Sequence, residues 1–184
     1  MSLISALKVI INFLEKNKIP YMVIGGIANS MFGEPRQTFD IDIKIKIGEQ
    51  INIKELINKL KNISDFFTEN PLSFAEKVRV IPIILEGTKI DLIFADLEYE
   101  QKAIKNSVRK KFDSININVC KPEDLIIQKS ISEREKDWND IKKIIEINRS
   151  KLDKKYILKY CTELSDWLSK PDLINKIKNC LDEK

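Results

Sequence analysis

Three aspartates in this sequence stand where carboxylates can act together. Asp40 and Asp42 are two residues apart in Phe39–Ile47, and Asp91 interrupts the apolar run Lys89-Ile90-Asp91-Leu92-Ile93-Phe94. Residues two apart on a strand point to the same face with Cα atoms roughly 7 Å apart. Asp40 and Asp42 therefore offer side-by-side carboxylates. A charge inside an otherwise apolar strand is costly unless it is paired or binds a metal, and carboxylate oxygens are hard ligands of the kind Mg²⁺ takes. Upstream, Gly25-Gly26 ends the apolar run Tyr21–Ile24. Glycine permits close backbone approach, and the N-terminus of a following helix favours an anion. Arg36-Gln37-Thr38 adds a guanidinium and a hydroxyl that can meet phosphate. The chemistry these residues suit is that of metal and phosphate. Taken one at a time, each has a plainer reading. The glycines make a tight turn, Asp40 and Asp42 belong to a solvated stripe that Lys44 and Lys46 continue, and Asp91 is capped or edge-exposed.

The elements that must position them follow from periodicity. Leu3, Leu7, Ile10, Ile11 and Leu14 recur at helical spacing over Leu3–Asn17. Tyr21–Ile24 reads as a short buried strand, and Ile27–Phe32 as a short helix closed by Gly33 with Pro35 beyond it. Phe39–Ile47 alternates without a break, with Ile41, Ile43, Ile45 and Ile47 on one face and Asp40, Asp42, Lys44 and Lys46 on the other. Ile53–Ile63 reads as a helix. Val78–Leu85 and Lys89–Phe94 form a hairpin around Glu86-Gly87, with Pro82 at an edge or a bulge. Leu97–Asn106 is expected to be helical and Ile115–Val119 a last strand. From Pro122 onward the pattern is helical, with Pro122 near the first helical position and Glu123 and Asp124 in the first turn. Helices are expected near Glu135–Asn148, Lys154–Leu168 and Pro171–Leu181. The pattern shows no internal repeat and no long linker.

Composition removes rival chemistries. The 184 residues contain no histidine. This excludes Ser-His-Asp and Cys-His catalysis and His-ligated zinc, and leaves carboxylate, lysine and metal chemistry. Cys120, Cys161 and Cys180 are odd in number and widely spaced. They form no zinc pattern or disulfide framework, which fits a reducing, cytoplasmic setting. No apolar run approaches the about 20 residues a membrane span needs, and Met1–Ser5 lacks the features of a signal peptide. A formal charge of +4 with both signs abundant is compatible with nucleic acid as a partner without arguing for it.

Gly25-Gly26-Ile27-Ala28 followed by Gly33-Glu34-Pro35-Arg36-Gln37-Thr38-Phe39-Asp40-Ile41-Asp42 resembles the nucleotidyltransferase superfamily, the polymerase-beta-like fold. The pattern is most similar to the small AbiEii-type branch of toxin-like nucleotidyltransferases. That branch carries a glycine pair, a helix, Pro-Arg-x-Thr-x-Asp-x-Asp and a third aspartate on a later strand. Pro122-Glu123-Asp124-Leu125 with Lys129, and the helix from Arg134 to Asp140, continue the likeness. It spans Tyr21 to Ile141, with Phe32 in a region where family members often carry histidine, and Gly-Gly in place of the common Gly-Ser.

Together with the periodicity, the resemblance implies an α+β fold. A nucleotidyltransferase-type mixed β-sheet flanked by helices occupies residues 1–121, and a C-terminal helical segment, 122–184, packs on it. The implied activity is transfer of a nucleoside monophosphate from an NTP to an acceptor hydroxyl, with Mg²⁺ or its substitute Mn²⁺ held by Asp40, Asp42 and Asp91. Asp40 and Asp42 would hold the metal on the triphosphate. Asp42 and Asp91 would position a second metal and activate the acceptor. Gly25, Gly26, Arg36, Thr38 and Lys129 would bind nucleotide. Arg36 can instead lock the acidic strand by an ion pair, and Lys129 can be an exposed lysine. Asp137 and Asp140 share a helix face. They would steady Lys129 or the nucleotide, or simply face solvent. The implied acceptors are an RNA 3′ end, as of tRNA, or a protein side chain, and a cognate antitoxin is an implied partner. A non-catalytic module is the second reading. It would keep the fold and bind nucleotide, RNA or a partner, with Tyr156, Tyr160 and Trp167 as contacts. Nucleotidylation of a small molecule is a third.

Overall fold

A computed structural model of the chain describes residues 2–48 and 51–183. The chain divides into two units, Met1–Ile27 with Gln37–Cys120, and Ala28–Arg36 with Lys121–Lys184. The short segment 28–36 groups with the helical unit.

The first unit is built on one mixed sheet. Its strands are β1 (Tyr21–Val23), β2 (Asp40–Ile45), β3 (Asp65–Phe66), β4 (Val80–Leu85), β5 (Thr88–Phe94), β6 (Val108–Phe112) and β7 (Ile115–Val119). They lie in the order β3-β4-β5-β2-β1-β7-β6. β2 pairs parallel with β5 and antiparallel with β1. The isoleucine alternation decides which face is buried. Ile81, Leu92, Ile43 and Val23 are register partners in turn, as are Ile83, Ile90 and Ile41. All seven have no measurable exposure. Helix α1 (Leu3–Lys16) packs against β2 and buries Ala6, Leu7, Ile10, Ile11 and Leu14. Helices α3 (Ile53–Leu60), α4 (Pro71–Val78) and α5 (Glu98–Lys105) complete the unit.

Pro82 is one strand in from the edge rather than on it. Its carbonyl accepts from the Phe67 N–H at 3.1 Å. Its ring has no N–H to return to β3, which explains why that strand stops at Phe66, opposite Ile83. The β4–β5 hairpin turns on Glu86 and Gly87, both at positive φ (51° and 78°), the conformation a two-residue turn of this hand requires. Three elements were not legible beforehand: β3, α4, which takes Val78 out of the expected strand, and β6, whose Arg109-Lys110-Lys111 core hides a strand behind charge.

The face carrying Asp40 and Asp42 is not solvated along its length, as the alternation suggested. Lys44, on that face, is 8% exposed and Glu100 of α5 is 9% exposed. The two form a buried ion pair, and Glu100 also accepts from the Leu97 N–H at 3.2 Å. Helix α5 thus closes the Lys44 end of the strand, and Asp40 remains at the exposed end. Truncating either partner of such a pair leaves a buried charge and costs about 3–5 kcal/mol.

The second unit consists of α6 (Pro122–Ser130), α7 (Glu135–Asn148), α8 (Lys154–Trp167) and α9 (Asp172–Asp182), with segment 28–36. Its core contains Leu125, Ile126, Ile127, Ile141, Ile144, Ile157, Cys161 and Ile177. Pro122 sits in the first turn of α6, and the Asp153 side chain caps α8 by accepting from the Tyr156 N–H at 3.0 Å. Asn148 Nδ2 donates to the Phe32 carbonyl at 2.7 Å, tying in the short segment. Helix α2 (Gly25–Phe32) carries the chain from one unit to the other. Among the described residues no helix is long and apolar enough to cross a membrane.

Candidate active site

In the first unit the sheet brings the three aspartates to neighbouring positions on one face. Asp42 and Asp91 are direct register partners across the parallel β2–β5 pair, and Asp40 is the partner of Lys89. Asp40 is exposed, Asp42 is half-buried, and the Asp91 side chain is 22% exposed.

Each carboxylate has its own support. Asp42 lies against Gly25, where a Cβ would overlap Asp42 Oδ2 and stand 2.8 Å from its Cγ. Gly25 also has φ +61°, a backbone region that a side chain strains. Asp40 accepts a hydrogen bond from Thr38 Oγ1 at 2.9 Å. Thr38 in turn lies against Gly26, where a Cβ would overlap Oγ1 and stand 2.8 Å from the threonine Cβ. Asp91 Oδ2 accepts from Lys89 Nζ at 2.9 Å. The glycine pair therefore does more than turn the chain. It lies in the first turn of α2, not before it, and leaves the room that Asp42 and Thr38 occupy.

Lys89 was not singled out in the sequence, where it reads as one exposed position of an alternating strand. The available signal was its spacing: two residues before Asp91, it must share the carboxylate's face. The hydrogen bond to Asp91 holds its ammonium above the usual lysine range, and the charges of Asp91, Asp40 and Asp42 add to this. The side chain is about half exposed, so the field of all three carboxylates reaches a position open to water. Among the described residues, no group of three His, Cys, Asp or Glu side chains converges closely enough to hold a metal ion as it stands. Asp91 is turned to Lys89 and Asp40 to Thr38.

The expected residues Arg36, Lys129, Asp137 and Asp140 belong to the helical unit and are bonded to one another within it. Lys129 is 7% exposed and donates to Asp137 Oδ1 at 2.9 Å and Asp140 Oδ2 at 2.6 Å. Asp137 also accepts from Ser132 Oγ at 2.7 Å and Arg134 Nε at 2.6 Å. Arg36 Nη2 reaches Asp140 Oδ2 at 3.3 Å. Burial pushes the Asp137 carboxyl up, but its bonds from Lys129, Ser132 and Arg134 outweigh this and bring it down to about 2. Nearby, the buried Asp124 accepts from Tyr156 Oη at 2.8 Å. Burial raises both groups, and the Asp124 charge further raises the phenol. Tyr156 and Tyr160 meet edge to face at 4.7 Å, Tyr160 is buried, and Trp167 is 70% exposed. The three cysteines are buried and none is in a disulfide, and burial lifts the Cys161 thiol to about 11, so it is no nucleophile near neutrality.

No curated protein sequence matches the chain. Solved structures do. An antigenic nucleotidyltransferase-like protein from Paracoccidioides brasiliensis aligns at TM-score 0.54 and 16% identity, covering 95% of this chain and 93% of that one. The lincosamide antibiotic adenylyltransferase LnuA, with lincomycin bound, aligns at 0.53 and 18%, covering 78% and 96%. The antibiotic-resistance factor ANT(2'')-Ia aligns at 0.58 and 12%, covering 92% and 94%. At these identities the likeness is one of fold. The sequence itself matches a family model over residues 3–178, nearly its whole length. That match does not reach the AbiEii-type branch, but it shows that the chain belongs to the nucleotidyltransferases, in the family described as nucleotidyl transferase of unknown function (DUF2204).

Proposed function

We propose that the protein transfers a nucleoside monophosphate from an NTP to an acceptor hydroxyl at an RNA 3′ end or on a protein side chain, with Mg²⁺ held by Asp40, Asp42 and Asp91. The observation that carries this reading is the register of Asp42 against Asp91 on one sheet face, with Gly25 kept bare beside Asp42. The donor set fits the ion: three hard carboxylates on one face, with no thiol or imidazole, and an ammonium already drawn to them. Bound there, Mg²⁺ would neutralise triphosphate charge and polarise the reacting phosphorus.

The chain's own groups do the rest. The start of α2 at Gly25 and Gly26 receives triphosphate oxygens, favoured by the helix N-terminus. Thr38 keeps Asp40 oriented. Asp91 takes the proton of the acceptor hydroxyl. The acceptor oxygen bonds to the α-phosphorus as the bond from that phosphorus to its bridging oxygen breaks, and pyrophosphate leaves. Lys129 joins α6 to α7 through Asp137 and Asp140, and Arg36 is held by Asp140.

One observation favours a second reading, a non-catalytic module that binds nucleotide or a partner: Asp40 and Asp91 already have protein partners. Both readings are tested by incubating the protein with an NTP labelled at the α-phosphate, Mg²⁺, and total RNA or total protein. Because the similar LnuA structure holds lincomycin, an antibiotic panel is a third acceptor arm. Transfer that disappears in Asp42→Asn supports the enzyme. Label transferred equally by the Asp40→Asn/Asp42→Asn protein means the metal site is wrong. An NTP that stabilises the fold without Mg²⁺ and without transfer supports the module.

A further inference from the structure

Lys89 carries an ammonium hydrogen-bonded to the aspartate-bearing face of the first unit. Its position is fixed by the sheet, as the cross-strand partner of Asp40 and two residues before Asp91 on the same face. Its Nζ donates to Asp91 Oδ2 at 2.9 Å. The same Nζ lies 5.9 Å from the centroid of the Phe67 ring, which is 65% exposed. Phe67 follows directly on β3, opposite Pro82, and Pro82 is the register partner of Asp91. Phe67, Pro82, Asp91 and Asp42 therefore form one row across four strands' worth of sheet. The ammonium has two resting places along that row, a carboxylate and an aromatic face.

We propose that Lys89 is a tethered counter-ion that competes with the metal for Asp91 in the nucleotide-free protein, and that nucleotide relieves the competition. The inference rests on the metal site proposed above. Both cations seek the same carboxylate oxygen. A metal entering at Asp91 displaces the ammonium and then stands close to it, so the pair repel. Triphosphate supplies the negative charge that re-pairs the displaced lysine, while the Phe67 face receives it in the meantime. Metal and NTP then bind with positive coupling, and the bare protein holds metal weakly. Coupling of this kind is reciprocal: metal must tighten NTP by the same factor that NTP tightens metal. Lys89 is a positioning residue in this scheme, acting through Asp91.

The test measures Mn²⁺ binding by electron paramagnetic resonance of the free ion, using the full chain with and without a non-hydrolysable NTP analogue. The side chain of Lys89 is half exposed, so Lys89→Met folds, and circular dichroism checks this. Lys89→Met is expected to bind Mn²⁺ about fivefold more tightly than wild type without nucleotide, in line with loss of a competing exposed ion pair. The gain from adding the analogue shrinks correspondingly. Lys89→Arg keeps the competing charge and behaves as wild type. Unchanged or weaker Mn²⁺ binding by Lys89→Met, in a protein whose binding is abolished by Asp42→Asn, overturns the Lys89 proposal alone. Absence of any Mn²⁺ binding sensitive to Asp42→Asn overturns the metal site and the competition with it.

Discussion

The two acidic clusters of this chain differ in how their charge is balanced. In the sheet unit, three aspartates share one face, and Asp91 is paired with Lys89, a lysine that is about half exposed. In the helical unit, Asp137 and Asp140 meet Lys129, Arg36 and Arg134, and the Lys129 and Asp137 side chains are 8% and 3% exposed. The helical cluster is complete: each carboxylate has more than one donor, in surroundings where an unpaired charge would be expensive. In the sheet cluster Asp40 is exposed and Asp42 and Asp91 are partly so, beside Gly25 and Gly26, whose distinguishing property is the space they leave. A self-satisfied buried network holds helices together. Carboxylates open to water beside bare glycines are the arrangement on which the proposed cation and phosphate site rests. The two clusters therefore differ in burial, although the sequence presents both as aspartates near a lysine or arginine.

The largest effect expected from breaking this contrast is on activity. Asp42→Asn should lower transfer about a thousandfold or more, equivalent to roughly 4 kcal/mol of transition-state stabilisation. It should leave the urea midpoint nearly unchanged, because the side chain is only half-buried. Lys129→Met should do the reverse. It removes the buried ammonium that two carboxylates share, leaving Asp137 to Ser132 and Arg134 and Asp140 to Arg36, and should destabilise the helical unit by about 3 kcal/mol. Both tryptophans, Trp138 and Trp167, lie in that unit, so intrinsic fluorescence follows its unfolding selectively.

Glycine substitutions sharpen the comparison. Gly25→Ala and Gly87→Ala both place a side chain at positive φ, at a cost of about 1–3 kcal/mol. Only the first also pushes on Asp42, since nothing lies within 4 Å of a Cβ at Gly87. Transfer should fall in Gly25→Ala well beyond its stability loss, and stay intact in folded Gly87→Ala. The next effect is one of pH. The Asp137 carboxyl is depressed in the fold from 3.8 to about 2. Its contribution, roughly 2 kcal/mol, is therefore fully present above pH about 4 and is lost as pH falls toward about 2. Tryptophan fluorescence against pH should show that loss in wild type and a flatter acid limb in Lys129→Met. The smallest effect belongs to Arg36→Ala. This pair is partly exposed, with the arginine at 40%, so the change should cost under about 1 kcal/mol in urea unfolding.

The unequal legibility of these regions has physical causes. The β2 alternation and the apolar context of Asp91 revealed the carboxylates, because period-two patterning fixes a face without any knowledge of partners. Conformation at the glycines was harder. Sequence shows that glycine permits close approach, but not that Asp42 and Thr38 are what approach. The Lys44–Glu100 pair was invisible because its partners are 56 residues apart and each alone resembles a solvated position. Lys129 with Asp137 and Asp140 was within reach, since one helix places the aspartates together, yet sequence offers no measure of their burial. The charged strand β6 was hidden because its pairing with β7, not its composition, makes it a strand. Segment 28–36 joins the helical unit through Asn148 and Asp140, contacts over more than a hundred residues that no local pattern encodes.

The central claim is that the Asp40, Asp42 and Asp91 face performs metal-dependent nucleotidyl transfer. The most direct measurement is incorporation of α-phosphate label from NTP, with Mg²⁺, into total RNA and total protein by the wild-type and Asp42→Asn proteins, at equal folded concentration. The expected result is label transferred by wild type, abolished by chelation, and reduced about a thousandfold in the variant. Equal labelling by the two proteins, or labelling that survives chelation, would contradict the account.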